Sequence, residues 1–302
     1  PILLFYRLNP TDDLIFIGKY NFNNDKSTES VFGFEGIEGF DNSRMQCWEV
    51  LNNGHPYALF TNVDKWYDTQ ILEGEVKYLW EEAFESRYPD DGHDADTTDL
   101  YNFCSWLSEI NKNFTSVDTD VKQQALTTFQ SQKWDHLDVP KVAAYYIYLM
   151  RFGAVDQTVK NSMLTSEDGE HFYFINYDND TINGLINTGV IGVPTDADRQ
   201  TINPAYDATD ENSLVYIYAG HDSALWNLLE ADDEFMQVVK NVDDALYTAG
   251  LTYTNVIDIF DNQQSNKWCE RVYNQDAQYK YIGPFVNNSV NNLAKMQGSR
   301  LT

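Results

Sequence analysis

Basic residues are scarce in this chain: 20 Lys and Arg stand against 47 Asp and Glu, a formal net charge of −27 at pH 7. A surface of that sign repels phosphate, which argues against nucleic acid as a direct partner and against docking on an anionic membrane. Cysteine is nearly absent as well. Cys47, Cys104 and Cys269 are odd in number, far apart, and show neither a Cys-x-x-Cys nor a Cys/His metal spacing. They read as reduced, mostly buried thiols made in a reducing cytoplasm. No apolar run reaches the roughly 18 residues of a membrane-spanning helix. The histidines (His55, His93, His136, His171, His221) are scattered without a His-x-x-x-His pair, which excludes a helical zinc motif. There is no Gly-x-Ser-x-Gly, and no Gly-x-Gly-x-x-Gly loop to cover nucleotide phosphates. The acidic stretch DDGHDADTTD lacks the Gly and closing Glu positions of a calcium loop and reads as solvated.

What remains is ample for a core, with 42% hydrophobic and 15% aromatic residues. ILLFYRL and LIFIGKYNF, separated by the turn signal NPTDD, predict a hairpin. MQCWEVLNN and HPYALFTN predict a second strand pair around NNG. Residues 1–62 therefore read as a small β-rich lobe, and 63–302 as a larger α-rich lobe. In the second part, Val76, Leu79, Trp80 and Ala83 fall near helical spacing before Pro89. Thr97 or Thr98 is a plausible N-cap for a helix with Leu100, Phe103, Cys104, Leu107 and Ile110 on one face. A shorter helix is expected around Val121 to Phe129, and VPKVAAYYIYLMRFGA reads as a buried central helix. HFYFINY reads as a strand, followed after Gly189 by a Pro-, Asp- and Asn-rich loop to about Asn212. Helical patterns return from Ser223 onward. The chain starts PILLFYRL and stops at NLAKMQGSRLT, and both ends read as cuts from a longer polypeptide.

Chemistry concentrates in DQTVKNSMLTSEDGEHFYFINYDND, residues 156–180. Asp156 and Asn161 stand five positions apart, and an apolar strand then runs into Asp178 and Asp180. Carboxylates and an amide are hard oxygen ligands suited to Mg²⁺ or Mn²⁺, with Ca²⁺ as the alternative, and a cation would relieve the repulsion of the two acids. Asn187 offers a further oxygen. Two simpler readings stand beside this one: Asp and Asn close turns through their own side chains, and Lys160 is a ready counter-charge. A glycosidase pair does not fit, because acids two apart on a strand lie side by side on one face rather than flanking a sugar.

The order Asp-x-x-x-x-Asn, strand, Asp is that of kinase catalytic centres. VAAYYIYLMRFGAVD, VKN and FYFINYDND resemble the spore-coat CotH family of atypical kinases over Val139 to about Gly189. The resemblance implies an α+β, protein-kinase-like fold. It implies that Asp156 orients an attacking hydroxyl, and that Asn161, Asp178 and Asp180 hold metal against the phosphates of ATP. Arg7 or Lys26, with Lys19 as a further candidate, would contact phosphate, and Glu49 or Glu81 would be the acidic partner. The chain departs from the kinase pattern at Ala154-Val155, where His-Arg would stand, and lacks Phe-Gly after the Asp.

A broader likeness, from Phe16 to Arg300, is carried by FIGKYNFNNDKSTESVFGF, CWEVLNN, FESRYPDD, VDQTVKNSML, YDNDTINGLINTG, HDSALWNLL and MQGSR. These are similar to large virion structural proteins of tailed phages, including crAss-like and other podovirus-type phages of gut bacteria. That resemblance implies a CotH-kinase-like module in the tail, nozzle or baseplate of a virion, made in the host cytoplasm and catalytically silent. Its partners would be other virion proteins and copies of itself. An active Ser/Thr kinase is the alternative, and a module binding a host glycan or receptor through its aromatic residues the third.

Overall fold

The computed structural model describes residues 2–6, 15–20, 43–51, 63–72, 74–89, 92–152, 154, 157, 161–177, 224–252 and 255. Expectations for 52–62, 178–223 and 256–302, among them the HPYALFTN strand, lie outside these residues. Strands β1 (Ile2–Tyr6) and β2 (Ile15–Tyr20) pair antiparallel with Ile2 opposite Tyr20, as the flanks of NPTDD predict. The main sheet has the order β6 (Phe84–Tyr88), β3 (Gln46–Val50), β7 (Ser162–Ser166), β8 (Phe172–Asn176), all neighbours antiparallel. All five β3 residues are buried, which is why its sequence QCWEV shows no alternation. β3 precedes residue 62 and its sheet neighbours follow it, so this one sheet draws on both sides of the expected division.

Five helices accompany the sheets among the described residues: α1 (Thr98–Phe114), α2 (Thr119–His136), α3 (Val139–Phe152), α4 (Ala224–Glu230) and α5 (Asp233–Thr248). The chain is thus a mixed α+β structure. No helix among the described residues is long and apolar enough to cross a membrane. α1 buries the predicted face of Leu100, Phe103, Cys104, Leu107 and Ile110. Its N-cap is Thr97, but the Thr97 hydroxyl bonds the Tyr67 hydroxyl at 2.9 Å, and Asp96 instead accepts from the Thr98 amide. α2 is longer than its apolar periodicity suggests because Asp118 caps its start, accepting from the Asp120 amide. α3 is the buried helix expected: Val142, Ala143, Tyr146 and Ile147 are fully enclosed, with β8 and α5 as neighbours. Cys47 and Cys104 are buried free thiols, and burial pushes the Cys47 thiol up to about 12.

The helix expected across Val76 to Ala83 is not formed. β4 (Thr69–Leu72) and β5 (Glu75–Tyr78) pair instead as a hairpin, with Ile71 opposite Val76. Gly74, at φ +90°, makes the turn that a side chain would resist. Only Leu79–Glu82 turns helically, a single 3₁₀ turn that buries Trp80 edge-on against Trp48 at 5.8 Å. The helical spacing ran for about two turns, too short to nucleate a helix against cross-strand pairing.

Lys133 of α2 is completely buried, 2.9 Å from the equally buried Asp232 and 2.5 Å from Glu234. Asp232 also caps α5 by accepting from the Glu234 amide, and accepts from the Gln130 side chain at 3.2 Å. One ammonium thus fixes the start of α5 on α2. Lys133→Met leaves the Asp232 carboxylate buried without its cation, so a loss of roughly 3–5 kcal/mol is expected in urea unfolding. A loss below about 1 kcal/mol would mean that the pair contributes no more than an exposed one.

Candidate functional site

A chain of hydrogen bonds lies where α3 runs out and the β7–β8 hairpin begins and ends. Tyr145 of α3 is stacked on Phe174 at 5.2 Å, among other aromatic rings. Its hydroxyl must find a partner because it is buried. It donates to the Gln157 carbonyl at 2.8 Å, and burial holds it well above the usual phenol range, so it stays a donor. The Gln157 side-chain amide then donates to the Tyr177 carbonyl at 3.1 Å. Tyr177 closes the circuit by donating its backbone N–H to the Asn161 carbonyl at 3.1 Å. Asn161 sits at φ +51°, a left-handed conformation that Asn tolerates better than most residues, at the entry to β7.

Gln157 and Asn161 are both tied to Tyr177, which follows β8. Asn161 itself is brought beside Tyr177. Asp156, Lys160, Asp178, Asp180 and Asn187 lie outside the described residues, as do Arg7 and Lys26. Lys19 lies on β2. Glu49 is nearly buried and pairs with Arg87 of β6 at 2.7 Å, while the Glu81 carboxylate accepts from the Tyr78 amide at 2.8 Å. Among the described residues no three His, Cys, Asp or Glu converge on one point as metal ligands would. The residues that sequence reasoning missed are Gln157 and Tyr145. Their only trace was a tyrosine inside the buried helix and a glutamine next to Asp156.

The hairpin's turn end is built differently. A cavity of about 350 Å³ opens there, beside the start of α3, with Trp134, Lys141, Glu167, His171 and Tyr173 in its wall. Lys141 lies 4.0 Å over the Tyr173 ring and bridges Asp138 at 3.1 Å and Glu167 at 2.7 Å. His171 Nδ1 is 2.6 Å from Asp168. These charges are paired with one another. Burial raises the Asp168 carboxyl, but the His171 amide, the His171 ring and the Glu170 amide outweigh it and hold the group at about 2.

A comparison with models of known protein families matches none of them, and a search of curated proteins finds no relative.

Two outcomes are expected. Tyr145→Phe keeps the ring and removes the donor to the enclosed Gln157 carbonyl; a loss of about 1–3 kcal/mol in equilibrium unfolding is expected, and an unchanged midpoint would show that the circuit is dispensable. The second concerns pH. Asp168 binds its proton less readily in the folded state than at the ordinary value of 3.8, so its contribution is present above 3.8 and lost as pH falls through about 2. Asp168→Asn should therefore destabilise the protein at pH 7, and the difference from the parent should vanish near pH 2 in a pH series of thermal melts.

Proposed function

We propose that the chain is a building module of a tailed-phage virion, on a CotH-kinase-like fold that no longer transfers phosphate. The kinase-like part rests on one observation: the Tyr177 N–H bond to Asn161 ties the Asp156–Asn161 segment to the strand running into Asp178. The chain order Asp156, Asn161, strand, Asp178 is the one a kinase-like centre uses. The building role rests on the motif likeness to virion proteins across the chain. It also rests on Ala154-Val155 where a kinase carries His-Arg, and on a sequence without a glycine-rich phosphate loop. Its place would be the tail, nozzle or baseplate, among other virion proteins and further copies of itself.

The second reading is an active kinase that passes the terminal phosphoryl group of ATP to a Ser or Thr hydroxyl of a partner. Asn161 favours it, because a non-glycine residue held at positive φ is the kind of local strain that functional sites retain. Oxygen donors of this type fit Mg²⁺ or Mn²⁺, which would neutralise charge on the transferring phosphates. Asn161, Asp178 and Asp180 would hold the cation, and Asp156 would orient the hydroxyl. Gln157 would fix the loop between them through its bond to Tyr177.

Isothermal calorimetry of the full chain with ATP and either cation separates the two. No saturable nucleotide binding is expected. Saturable, cation-dependent binding that disappears in Asp178→Ala would overturn the silent reading in favour of the kinase.

A further inference from the structure

The β4–β5 hairpin projects apolar surface that nothing described covers. Ile71 is 75% exposed and Val76 64% exposed, and they are directly opposite each other on one face of the ribbon. Tyr67, which precedes β4, is 52% exposed beside them, its ring 6.3 Å from that of Tyr78. Among the described residues β5 pairs with β4 alone, leaving its other edge without a strand.

That edge has a definite hydrogen-bonding phase. The Leu79 amide donates inward to the Asp68 carbonyl. Backbone groups alternate sides along a strand, so Lys77 and Glu75 also turn inward, towards β4. Val76 then presents both its N–H and its C=O to the open edge. Tyr78, the other outward residue, already donates its amide to Glu81. One residue, Val76, is therefore left to pair with an incoming strand.

We infer that this edge joins a second copy of the chain, β5 against β5, about a two-fold axis through Val76. The sequence Glu75-Val76-Lys77 is complementary to itself when reversed. An antiparallel pair centred on Val76 lets the two valines exchange both backbone hydrogen bonds. It sets Glu75 opposite the partner copy's lysine and Lys77 opposite its glutamate, on the close-spaced pairs where side chains interact best. Among the described residues, neither Glu75 nor Lys77 makes an ion pair. On the other face, Ile71 and Val76 of both copies form one continuous apolar row across four strands. An exposed edge lysine normally repels a second strand. Here the glutamate two residues away supplies its partner, so charge favours this register and disfavours a slip by one. A contact this short is weak between two free chains and gains strength only when repeated in an assembly. The inference gives the building-module reading a surface and a partner, and it rests on that reading for its setting.

Disulfide trapping in the full chain, with Cys269→Ser so that Cys47 and Cys104 are the remaining native thiols, tests it. Facing valines of a hydrogen-bonded pair have Cα atoms roughly 5.5 Å apart, within disulfide reach. Val76→Cys should form a covalent dimer under mild oxidation much faster than Val117→Cys, a fully exposed control in the α1–α2 loop. A mixture of Glu75→Cys and Lys77→Cys chains should cross-link to each other, and neither to itself. In the Val76→Cys background, Lys77→Glu should slow trapping roughly fivefold, as about 1 kcal/mol of cross-strand charge pairing implies, and Glu75→Lys added to it should restore the rate. Trapping of Val76→Cys no faster than the control, or unaffected by Lys77→Glu, overturns the inference. Such a failure leaves the building-module reading to calorimetry, and nucleotide binding there would leave this edge standing.

Discussion

Scarcity of positive charge governs how this chain is held together. Among the described residues, four cations each bridge two carboxylates. Arg44 holds Asp99 at the start of α1 and Glu170 in the β7–β8 turn. Arg87 holds Glu49 across the sheet and Glu85 on its own strand. Lys133 joins Asp232 and Glu234, and Lys141 joins Asp138 and Glu167. Opposed acids that would repel one another are thereby made into fastenings. Exposed members of this set add little individually. Lys133 differs, because its buried partner Asp232 has no water to turn to.

These fastenings explain the close docking of the β7–β8 turn. Gly169 adopts φ +75°, and a Cβ there would meet the Asp99 carboxylate at 2.2 Å. Only glycine lets the turn approach α1 closely enough for Arg44 to reach both acids. Asp168 organises the same turn from within, its carboxylate accepting the amides of Glu170 and His171 at 2.8 Å. A turn fixed so firmly sets the register of the strands that leave it. The register runs unbroken from Ser166 opposite Phe172 to Ser162 opposite Asn176. Asn161 and Tyr177 are therefore placed by the far end of the hairpin as well as by their own bond.

Legibility in the sequence followed the strength of burial. α3 and β8 were readable because nearly every residue is apolar and their lengths suit one element each. α1 was readable from its single apolar face. The β4–β5 hairpin was not, because Ile71 and Val76 face outward and Val76 falls at helical spacing with Leu79, Trp80 and Ala83. Of the polar circuit, only Asn161 stood out in the sequence. The fastening residues Tyr145 and Gln157 did not, since a hydrogen bond from a buried tyrosine to a backbone carbonyl leaves no periodic trace. β3 was recognised as a strand. Its central position in the sheet depends on neighbours that arrive about forty and one hundred and twenty residues later, a separation that local pattern does not record.

The two hairpins differ in how they are anchored, and that difference bears on what each is for. β7–β8 is covered by α3, clamped at its turn by Arg44 and Lys141, and closed at its open end by Gln157 and Asn161. A segment constrained at both ends suits holding side chains in fixed relation. Among the described residues, β4–β5 is held at its base, by the Leu79–Asp68 and Trp80–Trp66 bonds and the Tyr67 ring stacks. A two-stranded ribbon is marginal on its own in water. Pairing with a further strand would supply what the ribbon lacks, backbone bonds for Val76 and cover for Ile71. An acidic chain also needs neighbours that do not add to its repulsion. A contact that opposes each glutamate with a lysine of an identical chain meets that need locally while the net charge stays at −27 per copy.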